Sequence, residues 1–218
     1  EIILKEKNIA VNIKEFDQAM AKQKATSKKS HKTGVGIDNS IYYTSREKCG
    51  ETKFVGYTDL TSSSMLLDII DIDSDTKGLI FNQTPFYGES GGQLGDSGWI
   101  EGISEIEITD TQKPIDNFFV HLVSAKNGRH EGLKVGNKYV LVIDSEKRNL
   151  SARNHTATHI LQQALIDVLG SHVKQAGSIV GQSRMRFDFP HKHAMTKEEI
   201  TNVENRVNEI IASGLDVQ

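Results

Sequence analysis

The hydrophobic pattern of this chain changes period near Asp144, and that change limits the folds open to it. Before that point the apolar residues fall in short runs. These are Ile41-Tyr42-Tyr43, Phe54-Val55, Met65-Leu66-Leu67-Asp68-Ile69-Ile70, Gly78-Leu79-Ile80-Phe81, Ile106-Glu107-Ile108, Phe118-Phe119-Val120 and Tyr139-Val140-Leu141-Val142-Ile143. They are rich in β-branched and aromatic residues and are separated by Gly, Asp and Asn turn signals, which predicts many short strands and hence a barrel or sandwich. After Asp144, a residue suited to capping a helix, residues 150–169 read as helix and Gly170 stops it. Met185, Phe187 and Phe189 then alternate with Arg184, Arg186 and Asp188, predicting a half-buried strand. Thr196-Lys197-Glu198-Glu199 is a capping box, and Ile200, Val203, Val207, Ile210 and Ile211 form the apolar stripe of a closing helix. Ahead of all this, Ile9, Ile13, Phe16 and Met20 recur at helical spacing, so residues 9–25 should be an amphipathic helix. Residues 25–36 are polar and read as a linker. The expected fold is α+β, running helix, β-barrel, smaller α+β unit, with no internal repeat.

Composition excludes several classes. At 218 residues there is chain for one domain or two small ones, and for a real core. A 37% hydrophobic fraction is too high for full disorder. The single cysteine, Cys49, forms no internal disulfide and cannot close a zinc site made of several thiolates. No apolar run approaches the ~18 residues of a membrane span, and the opening residues are too charged for a signal-peptide core. The chain starts on Glu1 rather than Met, which reads as a cytosolic piece of a longer protein. Charge is uneven: residues 1–34 carry eight lysines against four acids. Lys22, Lys24, Lys28, Lys29 and Lys32 fall in eleven residues without an acid. They could touch phosphates, but the plainer reading is a solvated helix end running into a linker. The net charge of −3 argues against broad coating of nucleic acid.

Three features carry candidate chemistry. His155 and His159 stack on one helix face at the spacing two imidazoles need to share a metal ion. On a helical wheel they lie off the stripe of Ile160, Leu161, Ala164, Leu165, Val168 and Leu169, so they are no part of the core; an idle surface pair is the competing reading. The sequence supplies no evident third ligand. Cys49 has no histidine at ligand spacing, and His191 and His193, two apart on a loop, should face no common point. The second feature is the glycine-rich block 82–98, with six glycines between Gly88 and Gly102. It suits either a ligand-embracing loop or a bulged barrel hairpin, and it matches neither phosphate-binding glycine fingerprint. The third is Gln175 in Gly170-Ser171-His172-Val173-Lys174-Gln175-Ala176-Gly177-Ser178, a neutral amide able to orient a water or a carbonyl. On composition alone that stretch is a turn.

Four blocks together resemble the alanyl-tRNA synthetase family, in its editing region rather than its aminoacylation core. They are Thr84-Pro85-Phe86-Tyr87-Gly88-Glu89-Ser90-Gly91-Gly92-Gln93-Leu94-Gly95-Asp96, Thr109-Asp110-Thr111-Gln112-Lys113, Arg153-Asn154-His155-Thr156-Ala157-Thr158-His159-Ile160-Leu161 and Arg184-Met185-Arg186-Phe187-Asp188-Phe189. The resemblance spans essentially the whole chain. It implies that residues 1–35 end a tRNA-recognition helical region and linker. Residues 36–143 would form a translation-type β-barrel, and residues 144–218 a truncated editing core of the threonyl/alanyl-tRNA synthetase second additional domain type.

The same resemblance implies the roles of individual residues. His155 and His159 match the first two ligands of a zinc site, whose remaining Cys and His lie beyond Gln218; this chain is therefore expected to hold zinc there weakly or not at all. Gln175 matches a glutamine important for editing, and Gly91, Gly92 and Gln93 would close over the substrate. The parent enzyme would use ATP and Mg to attach alanine to tRNA(Ala) in the cytoplasm, with no membrane or DNA partner. This piece would hydrolyse mischarged Ser- or Gly-tRNA(Ala), a second sieve that a small amino-acid pocket needs because it cannot reject isosteres strongly. A free-standing trans-editing hydrolase and a non-catalytic tRNA-binding module are the alternatives.

Overall fold

The computed structural model describes residues 39–102, 106–126 and 129–215. Contacts divide the chain into Glu1–Asn39 and Ser40–Gln218, and the described residues from Ser40 onward belong to the second unit. The expected helix over residues 9–25, the linker over 25–36 and the five lysines from Lys22 to Lys32 lie outside the described residues.

The larger part is a ring of antiparallel strands. They are β2 (Thr61–Asp71), β3 (Thr76–Phe81), β5 (Gly98–Ile100), β6 (Glu107–Ile115), β7 (Phe118–Ser124) and β8 (Lys138–Ile143). β1 (Lys53–Phe54) and β4 (Gln83–Thr84) form a separate short parallel pair. Around the ring the order is β2-β3-β7-β6-β5-β8, and β8 pairs back to β2, so the sheet closes on itself. β2 is long enough to serve two neighbours. Its first half pairs with β8 (Ser63 opposite Val140) and its second with β3 (Ile69 opposite Leu79), with a register shift between Leu66 and Asp68 where the partner changes.

Alternation fills the interior. Leu66, Leu79, Phe81, Phe86, Ile100, Ile108, Leu141 and Ile143 are buried in one cluster. The run Leu79-Ile80-Phe81 is buried on both faces, because Ile80 turns outward into a second cluster with Tyr42, Ile70, Phe118 and Val120.

That second cluster corrects one expectation. Ile41-Tyr42-Tyr43 is no strand but part of helix α1 (Ser40–Cys49), laid on the outside of the ring. The triplet has the composition of a strand, yet the spacing of its contacts is helical. Tyr42 and Ser45 are buried and Cys49 packs on the same cluster, while Tyr43 is exposed. Ser45 donates to Asp68 at 2.9 Å and Lys48 pairs with the same carboxylate at 2.6 Å, which fixes α1 on β2.

After the ring comes helix α2 (Ser145–Leu169), capped by the Asp144 carboxylate, which accepts from the Lys147 amide at 3.0 Å. Partial burial pushes the Asp144 pKa up, but hydrogen bonds from Lys147 outweigh it and hold the carboxyl below its usual range. The hairpin β9 (Gly177–Val180) and β10 (Met185–Asp188) and the closing helix α3 (Lys197–Ala212) complete the unit. α3 begins on the expected capping box: Thr196 Oγ1 accepts from the Glu199 amide, and the Glu199 carboxylate accepts from the Thr196 amide at 2.7 Å. Ala164, Leu165, Val173 and Val203 form the core of this part, with Leu161, Phe187 and Val207 against it. The whole is a mixed α+β fold, with three helices and a largely antiparallel sheet among the described residues.

Candidate functional site

Three segments distant in sequence meet on the outer face of α2: the glycine-rich block 88–98, the middle of α2 and strand β9. The block follows β4, the partner of β1, and is held by backbone pairing. Leu94 N donates to Val180 O at 2.9 Å, and Val180 N donates to Gly92 O at 2.7 Å. The loop is thereby laid along β9 as an added stretch of strand. Gly92 has φ +84°, and a Cβ there would stand 2.4 Å from Ser178 Oγ. The sequence requires glycine here twice over, for the left-handed backbone and for the close approach to β9.

Just before these contacts the loop turns on Gly91 (φ +60°), closed by paired hydrogen bonds between Ser90 and Gln93. The turn aims the Gln93 side chain, itself buried, at the helix. Gln93 Oε1 lies 2.7 Å from His155 Nδ1. A carbonyl oxygen only accepts, so His155 carries its proton on Nδ1 and presents the Nε2 lone pair outward. The His155 and His159 rings stack at 5.2 Å with 19° between planes, and both residues are exposed. The expectation that they lie off the core stripe matches this placement. An amide oxygen holding the back of a metal-binding imidazole is the arrangement that fixes ligand orientation in metal sites. The donor set of this pair fits zinc as two of its four ligands.

Gln175 stands on the far side of the loop. Its Nε2 donates to Ser178 Oγ at 2.9 Å, the hydroxyl that faces Gly92, so it reaches the glycine turn through β9 rather than through the helix. Asn154, one residue before His155, donates to Gly181 O at 2.7 Å and ties α2 to the end of β9. Arg153, His159 and Ile160 also border a cavity of about 1130 Å³ that Arg206, Ile210 and Ile211 of α3 line as well.

The sequence reading missed the strongest fastening of the site. Arg148, in the first turn of α2, donates through Nε to both oxygens of the buried Asp96 at 3.0 and 2.9 Å, and its remaining nitrogens reach Gly56 O and Pro85 O at 2.9 Å each. Asp96 also accepts from the Tyr87 amide at 2.8 Å. One side chain thus binds the helix to both ends of the glycine block. Asp96 was visible within that block, but its partner lies 52 residues away and no local pattern links the two.

A second correction concerns His191 and His193. Expected to face no common point, they do converge: their ring centroids lie 4.8 Å apart, and with Glu199 they offer ligand atoms all within 4.8 Å of one another. The loop placement holds, but a bend at Lys192 and His193 turns the two rings toward each other.

A family model described as tRNA synthetases class II (A) matches residues 1–147. The chain belongs to that family. Among curated proteins it is 40% identical over 225 residues to an alanine–tRNA ligase of Mesorhizobium japonicum, an alignment covering 98% of this chain and 25% of that protein. An alanine–tRNA ligase of Campylobacter jejuni is 42% identical over 217 residues, with 96% and 25% covered. One of Rhizobium meliloti is 39% identical over 224 residues. The chain therefore spans about a quarter of the length of the curated relatives it matches. His155 and His159 lie past the family-model match but inside the stretch shared with these ligases.

Proposed function

We propose that this chain is the proofreading portion of an alanine–tRNA ligase, hydrolysing the ester of Ser- or Gly-tRNA(Ala). The observation that carries the reading is the Gln93–His155 hydrogen bond, which brings the glycine loop and the two-histidine helix face into one site. His155 and His159 would hold zinc together with Cys and His ligands from the following polypeptide. Zinc bound there supplies a positive charge that anchors the aminoacyl group. The chain's own residues do the rest. Gln93 fixes the His155 tautomer and the aim of its ring. The turn at Gly91 and Gly92 brings backbone close to the substrate without a side chain in the way. Gln175, with Nε2 engaged by Ser178, offers Oε1 to a water, a role of orientation that an uncharged amide suits better than proton abstraction.

In this reading the lysines from Lys22 to Lys32 meet tRNA phosphates. ATP, Mg and alanine are handled elsewhere in the cytoplasmic parent enzyme. Among the described residues no helix is long and apolar enough to cross a membrane. A non-catalytic tRNA-binding module is the second reading, favoured by a site that holds only two imidazoles of its own. Deacylation of Ser-tRNA(Ala) by the full-length protein separates the two. His155→Ala should lower zinc content and hydrolysis together, and Gln175→Ala should slow hydrolysis at unchanged zinc content. Wild-type protein that leaves Ser-tRNA(Ala) intact would favour the binding module.

A further inference from the structure

A second group of histidines lies beyond the end of α2, where the turn after that helix, the loop after β10 and the first turn of α3 meet. His172 Nε2 and His191 Nδ1 are 2.9 Å apart, with their rings stacked at 5.1 Å. On its other edge His191 meets His193, and the ligand atoms of His191, His193 and Glu199 lie within 4.8 Å of one another. His191 Nε2 is buried and has no hydrogen-bond partner among the described residues. Buried polar atoms are nearly always satisfied, and such an exception asks for a cause. If His172 Nε2 accepts, His191 donates from Nδ1 and its Nε2 becomes an unpaired, sheltered lone pair. If the proton lies on Nε2 instead, a buried N–H is left without an acceptor. A metal ion relieves the first arrangement and nothing present relieves the second.

We propose that His191, His193 and Glu199 bind a divalent transition-metal ion of the zinc class, with His172 hydrogen-bonded behind His191. Two imidazoles and one carboxylate, with water in the fourth position, are a ligand set zinc accepts. His172 supplies the outer hydrogen bond that fixes a ligating imidazole. Ligands at about 2.0–2.1 Å from zinc in a tetrahedral site stand roughly 3.3 Å from each other, so the group must contract. His193 can do this. It is exposed, and its one hydrogen bond among the described residues is the 3.1 Å contact from Nδ1 to the neighbouring Ala194 carbonyl. Glu199 needs little change, since the capping bond from Thr196 already fixes its carboxylate. The site is separate from the His155–His159 pair, because Leu169, at the end of α2, is ten residue steps or about 15 Å of helix past His159. Its role is to clamp the start of α3 and the loop after β10 onto the end of α2.

The test is titration of the 218-residue chain with Co²⁺, read by its visible absorption, and with Zn²⁺ by displacement. One equivalent should bind, and it should still bind in the double variant H155A/H159A. H193A and E199Q should each weaken binding at least about tenfold, and H172A by about ten- to a hundredfold. Gln at position 199 can still close the capping box, so E199Q and the exposed-site variant H193A should keep the metal-free melting temperature of the parent, which separates loss of a ligand from loss of fold. Binding that survives in both H193A and E199Q, that vanishes in H155A/H159A, or that is absent below millimolar metal overturns the proposal.

Discussion

Gly92 and His121 show how single positions are constrained in this chain by opposite means, one by backbone and one by burial. At Gly92 any side chain meets β9, and the left-handed φ excludes β-branched residues most strongly. Gly92→Val should cost about 2 kcal/mol or more, whereas Ser97→Ala, which gives up one 3.2 Å hydrogen bond from Lys147, should stay within about 0.5 kcal/mol. Equal urea midpoints for the two would refute the assignment. His121 is sealed inside the barrel. Its Nδ1–H donates to Leu79 O at 3.0 Å, Nε2 accepts from Thr84 Oγ1 at 2.7 Å, and Phe81 and Phe86 stand edge-on to it. Burial lowers its pKa to about 4, only partly offset by the Leu79 carbonyl. The unfolded chain therefore takes up this proton first as pH falls. The neutral ring's contribution is complete above about pH 6.5 and is lost progressively toward pH 4, by about 3 kcal/mol in all. Urea melts at pH 7, 5.5 and 4.5 should fall more steeply for the wild type than for His121→Gln; parallel curves would contradict the buried neutral form.

At the level of elements, what matters is the fastening of α2 to the glycine block. Breaking a buried pair leaves an uncompensated charge, so Arg148→Met should destabilise the fold by about 3 kcal/mol or more and loosen the block from the helix. Faster amide exchange at Gly91, Gly92 and Gln93 is the expected accompaniment, and unchanged exchange there would argue that the block is held by β9 alone. Local signals made the capped helices legible: Asp144 and Gly170 bracket α2, and Thr196 with Glu199 opens α3, each cap readable over four residues or fewer. The apolar runs placed β2, β3, β7 and β8 for the same reason. What escaped depends on partners far along the chain. α1 is a helix because Tyr42, Ser45 and Cys49 find a surface to which β2 and β6 contribute. β5 and β9 are too short to show a period, with β5 carrying only Gly98-Trp99-Ile100. The site was legible as types and spacings, in the histidine pair and the glycine block, but the Gln93–His155 contact spans 62 residues and no sequence period encodes it.

On the scale of the whole molecule, the chain belongs to the class II tRNA synthetases and spans about a quarter of the ligases it resembles. From Ser40 onward, barrel and helices form one unit, and the proposed proofreading site lies where they join, with ring-borne loop and helix each supplying half. Its most direct test is hydrolysis of Ser-tRNA(Ala) by the full-length protein carrying Gln93→Ala, with charging of tRNA(Ala) by alanine measured beside it. In the proposed site Gln93 would hold a zinc-ligating imidazole from behind, so the variant should hydrolyse Ser-tRNA(Ala) at least about tenfold more slowly while charging proceeds at the parent rate. Hydrolysis at the parent rate would contradict a proofreading site built on the Gln93–His155 contact.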